Sequence, residues 1–135
     1  MREIFAATMF MSSITDITYG KIFNFIIFPA LLAGAVCRTA GEGAAGLASF
    51  ILSAAAVCAV LLPFRKGLGG GDIKLAAAAA ALIPDPQARA RYFVLLAAVL
   101  LVSAAAVYMR TRDRRAEIRI GVPAGIAAAV WLSMG

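Results

Sequence analysis

The chain has 135 residues, 63% hydrophobic and only 15% charged, so it is too apolar for a soluble domain, whose apolar and charged fractions lie near half and a quarter. Its formal charge is +6, which fits basic cytoplasmic loops and anionic lipid better than nucleic acid. Histidine is absent, which removes serine–histidine and cysteine–histidine nucleophiles, His-Glu-x-x-His zinc hydrolysis and histidine proton relays. The two cysteines, Cys37 and Cys58, both lie inside apolar runs and form no C-x-x-C pair, so they read as small packing residues.

Six apolar segments follow in order: roughly 3–17, 23–38, 44–62, 73–83, 91–109 and 118–134. The first is a poor signal peptide, because Asp16 follows it where a small-residue cleavage site belongs. A spanning helix takes about 20 apolar residues. By that measure the third and fifth segments span unaided, while the first, second and sixth borrow flanking residues.

The fourth segment is about 16 Å long at helical rise, against a hydrocarbon core of about 30 Å. It is either a partial helix lining a cavity or a helix that extends upstream through Gly69, Gly70 and Gly71. Its alanines, Ala76 to Ala81, predict close helix packing. Pro84-Asp85-Pro86 ends it in a tight loop, and Pro123 is placed to kink the sixth segment. There is no convincing internal repeat. The expected fold is all-α: a single integral-membrane domain over residues 1–135, a polytopic bundle of about six transmembrane helices.

Basic residues orient the bundle. Lys21, Arg65, Lys66, Lys74, Arg110, Arg112, Arg114, Arg115 and Arg119 fall on one side, and Arg2, Arg38, Arg89 and Arg91 on the other. The positive-inside rule puts the first group in the cytoplasm and both termini outside. Asp16 and Asp72 then share the cytoplasmic side.

Those two aspartates carry the chemistry the composition leaves open. An ionisable residue at membrane depth is expensive and marks a functional site. Two carboxylates brought close cannot both ionise easily, so one keeps a proton while the other stays charged. The charged member takes a proton from a water held between them, and the protonated member polarises a carbonyl. That route needs no metal, cofactor or histidine. The glycines before Asp72 let protein backbone approach an extended peptide. Plainer readings stand beside these: Asp72 as a helix N-cap, Asp16 as an interfacial residue, Lys74 as a snorkelling lysine. The glycine run is not a phosphate-binding loop, since its lysine follows an aspartate and no Gly-Lys-Ser/Thr ending is present.

Taken together, Asp16 with Ile22 and Asn24 downstream, and Gly69-Gly70-Gly71-Asp72 with Lys74 two residues on, resemble the two motifs of the type IV prepilin peptidases, membrane aspartic proteases of the GxGD class. Gly121-Val-Pro-Ala124 resembles the proline-containing last helix of that family. The short form is similar to the minimal peptidases that accompany tight-adherence (Flp) pili. Phe23 stands where the family usually has proline, and Lys21 is the one basic residue of the first loop.

The resemblance implies that Asp16 and Asp72 are the catalytic pair and that Gly69 and Gly71 shape the site. It further implies that Lys74 stabilises charge or orients Asp72, and that Asn24 supports the loop around Asp16. The implied substrate is a prepilin or pilin-like protein, whose short basic leader is cut at the cytoplasmic face of the inner (plasma) membrane. Membrane lipid is the other expected partner. No cofactor, metal or nucleic acid is expected, nor the N-methyltransferase activity of the long, cysteine-bearing bacterial forms. Two other classes compete: a small transporter whose aspartates carry protons or cations, and an inactive assembly partner of a secretion complex. The double motif separates the peptidase from both, because a proton carrier needs neither half of it and an inactive partner need not keep both aspartates.

Overall fold

A computed structural model describes residues 1–64, 70–111 and 121–135. Among these residues the chain is helical, with no strand: α1 (Arg2–Tyr19), α2 (Asn24–Leu61) followed by a short 3-10 turn (Leu62–Phe64), α3 (Gly70–Leu82), α4 (Pro86–Thr111) and α5 (Gly121–Ser133). The all-α expectation holds.

The long element α2 is not one rod. Gly43 interrupts it with φ 63° and ψ −148°, a region that only glycine occupies readily. The chain turns back there. A Cβ placed on Gly34 would lie 3.0 Å from the ring of Phe50, so residue 34 sits beside residue 50, where an uninterrupted helix would hold them about 24 Å apart. Closer to the bend, a Cβ on Gly46 would lie 2.6 Å from the Arg38 carbonyl oxygen. Arg38, itself buried, pairs with Glu42 just ahead of the turn. Residues 24–42 and 44–61 are therefore two antiparallel rods, close to the second and third expected segments. With the other four helices they make six helical rods among the described residues. Two stretches, Asn24–Phe64 and Pro86–Arg110, are long and apolar enough to cross a membrane, and Gly121–Ser133 is a shorter apolar helix.

The bundle is organised around α3. Its described part starts at Gly70, upstream of the expected residue 73, and runs 13 residues, about 20 Å. Every residue from Leu75 to Ile83 is buried. Alanine is the strongest helix former, and with only a methyl group on every side this helix admits neighbours all round. Gly34 of α2 meets Leu82 at 2.5 Å from its absent Cβ position, and α2 is the principal partner of α3.

Helix α4 opens as the Pro-Asp-Pro loop implies. The Ala88 N–H donates to Asp85 Oδ2 at 2.9 Å, and Pro86 takes the first helical position, where its missing N–H costs nothing. Pro123 lies at the third described position of α5.

Helices α1, α4 and α5 are tied at one end by rings. Phe5 stands edge-on to Tyr92 at 5.1 Å and to Trp131 at 5.2 Å, and Trp131 Nε1 donates to the Ala88 carbonyl at 3.0 Å.

Candidate functional site

The opposite end of α1 carries Asp16. Phe5, Thr8, Met9, Ser12 and Asp16 form the buried stripe of this helix, spaced at three and four residues so that they share one face. Asp16 is only 4% exposed, and Ser12, one turn earlier on the same face, is fully buried. The helix stops at Gly20, whose φ of 64° is left-handed and whose N–H donates to the Asp16 carbonyl at 2.9 Å. That glycine C-cap turns the chain sharply enough for residues 21–23 to cross to α2.

The link lands on the start of α3. A Cβ on Gly71 would lie 3.3 Å from Ile22 Cβ, so the absence of a side chain at 71 lets the link lie flat on the first turn of α3. One turn on, Lys74 Nζ donates to Asn24 Oδ1 at 3.0 Å. Asp72 lies in that first turn and is half-buried, where the amide end of the helix favours a carboxylate.

Of the residues singled out from sequence, Gly71, Asp72, Lys74 and Asn24 thus meet at the end of the bundle where α1 delivers Asp16. Gly69, Arg65 and Lys66 lie outside the described residues, as do Arg112, Arg114, Arg115 and Arg119. Cys37 is exposed and Cys58 half-buried, and both are free thiols. Among the described residues no three histidine, cysteine or acidic side chains cluster as a metal site.

The structure adds two residues to the site: Gly121, read from sequence only as part of a proline-containing helix, and Ser13, which sequence reasoning did not single out. Gly121, the first residue of α5, lies directly against Asp16: a Cβ there would be 2.6 Å from Asp16 Cβ and Oδ2. The Ser13 hydroxyl lies 2.8 Å from the Gly121 carbonyl, which accepts from it. The available signal was a glycine two residues before a proline at the head of an apolar segment, a helix-start pattern.

The site is therefore a meeting of helix ends: the C-terminus of α1 and the N-termini of α2, α3 and α5. One carboxylate is buried among them and a second lies in the first turn of the central helix. Such an end can hold negative charge, since helix N-termini present free amides and positive dipoles.

A family model described as the type IV leader peptidase family matches residues 4–108, a span that includes both aspartates. No curated protein and no solved structure matches the chain.

Proposed function

The chain belongs to the type IV leader peptidase family, a family of membrane proteases, and from that membership we propose a multi-pass aspartic endopeptidase of the inner (plasma) membrane. It removes the N-terminal leader of prepilin-like substrates at the cytoplasmic face. The observation that carries this reading is the arrangement around Asp16. A carboxylate 4% exposed sits at the same end of the bundle as Asp72, and the contacts of Ile22 with Gly71 and of Asn24 with Lys74 bind the two elements together.

In this reading the two carboxylates share a proton. The ionised one accepts a proton from water as that water attacks the scissile carbonyl, and the protonated one donates a hydrogen bond to the carbonyl oxygen. Collapse of the tetrahedral species passes a proton to the leaving amine and returns the pair to its starting state. Gly69 and Gly71 shape the site, Gly71 by seating Ile22 against the first turn of α3. Lys74, held by Asn24, sets the cationic side of the site and orients the first turn of α3.

The six rods cross the membrane, with both termini outside, as the distribution of lysine and arginine favours. Helix α3, about 20 Å long, is shorter than the hydrocarbon core of about 30 Å, which lets its first turn lie below the membrane surface within reach of water.

The test is cleavage of a prepilin co-expressed with the wild type, Asp16→Asn or Asp72→Asn, read as a mass shift of the pilin. A shift with wild type alone is expected. Near-normal cleavage by either variant would remove the dyad from the mechanism. Cleavage lost to a chelator and restored by zinc would replace it with a metal route.

A further inference from the structure

We propose that Gly121 and Ser13 are positioning residues that set the orientation of the Asp16 carboxylate, an inference that rests on the reading of Asp16 as one half of the catalytic pair. Three contacts between α1 and α5 carry it. The first is the wall. A Cβ on Gly121 would lie 2.6 Å from Asp16 Cβ, 2.6 Å from Oδ2 and 2.7 Å from Cγ, closer than real Cβ atoms approach anything. The whole carboxylate side chain is lined up along the glycine, and a side chain 4% exposed has little room to swing away. Hydrogen at position 121 is what permits its present rotamer.

The second contact holds that wall in place. Ser13 Oγ lies 2.8 Å from the Met9 carbonyl and 2.8 Å from the Gly121 carbonyl. The Met9 bond is the usual backbonding of a helical serine. The Gly121 bond reaches across to α5 and shares the same proton. Ser13 precedes Asp16 by three residues, so the hydroxyl and the carboxylate lie on neighbouring turns of one helix.

The third contact keeps the hydroxyl where it is. A Cβ on Gly125 would collide with Ser13 Oγ and lie 3.0 Å from Ser13 Cβ. Gly125 follows Gly121 by one turn and faces the same helix. The three contacts form a chain: Gly125 admits the Ser13 hydroxyl, the hydroxyl fixes the Gly121 carbonyl, and Gly121 leaves the Asp16 carboxylate its place. Glycines four apart also serve ordinary close packing of membrane helices. Packing alone places no serine hydroxyl on the carbonyl of the residue that touches the carboxylate.

The experiment measures prepilin cleavage kinetics and thermal unfolding of purified wild type, Gly121→Ala, Ser13→Ala, Ser13→Thr and Asp16→Asn in one lipid environment. Gly121→Ala is expected to lower kcat about 100-fold, the scale of a misplaced reacting group, with KM within about twofold because substrate binding is untouched. Ser13→Ala lowers kcat about 10-fold on the same argument and displaces the pH–rate profile, while Ser13→Thr, which keeps the hydroxyl, restores the wild-type profile. Should Gly121→Ala fail to insert, the Ser13 pair carries the test, since truncation at 13 creates no clash.

A lowered unfolding temperature with unchanged kcat and pH profile in Ser13→Ala would overturn the proposal and leave only packing. Inactive Asp16→Asn beside fully active Gly121→Ala would overturn it while sparing the catalytic pair. Active Asp16→Asn would remove the pair and this inference with it.

Discussion

The two ends of α1 are held by opposite means. At its N-terminal end Phe5 is 1% exposed and packed between the rings of Tyr92 and Trp131, so α1 is fixed to α4 and α5 by large side chains filling space. At its C-terminal end it meets Gly71 through Ile22, and Gly121 and Gly125 directly, so there it is fixed by missing atoms. Aromatic packing contributes stability in proportion to area and ring geometry. Contact through glycine contributes little area but brings backbone and polar groups within reach of a carboxylate. One end is built for cohesion and the other for placement, and substitutions at the two ends should fail differently.

The sharpest way to break this contrast is at the carboxylates. Asp16→Asn and Asp72→Asn should each abolish prepilin cleavage, seen as an unshifted pilin mass, with insertion and unfolding temperature close to wild type, because a pair acting as a unit does not survive the loss of one member. Phe5→Ala should do the reverse: unfolding free energy falls by about 3 kcal/mol from the cavity left between two rings, while the folded fraction cleaves at the wild-type rate. A Phe5→Ala enzyme that stays stable but loses turnover would dissolve the division between the ends. Gly43→Ala tests a third place, the bend within α2. The bend has φ 63°, so a side chain there costs about 1–3 kcal/mol of backbone strain, measurable as a lower unfolding midpoint with cleavage unaltered. The smallest effect belongs to the Lys74–Asn24 bond. Lys74→Ala and Asn24→Ala should each slow cleavage several-fold, and the double variant should be no slower than the worse single, the non-additivity of two partners in one bond.

Much of this arrangement is legible in the chain itself. Glycines followed by Asp72 and an alanine run mark a helix start with a carboxylate in its first turn, and α3 begins at Gly70. The polar stretch between the second and third apolar segments announces a turn, and Gly43 makes it. Inside the apolar segments the pattern falls silent. Phe5 is 1% exposed and Phe25 83%, yet both sit among apolar neighbours, because lipid tails are as apolar as a protein core and the outward face needs no polar residues. The ring cluster is therefore invisible before the helices are assembled. Gly121 is hidden for a different reason. It is one of 12 glycines, and although the proline two residues on marks a helix start, nothing local ties it to Asp16, which lies far upstream in the sequence.

That separation bears on how the protein is made. The hydrogen bond between Ser13 and Gly121 spans 108 positions, joining α1 to α5. Chains emerge from the ribosome N-terminus first, so Asp16 and Asp72 are both synthesised well before the residue that walls in Asp16. A growing chain that has already threaded four helical elements still has an open flank beside its buried carboxylate. Only the arrival of α5 completes those surroundings, so the site is assembled after both aspartates have been made rather than at the appearance of either.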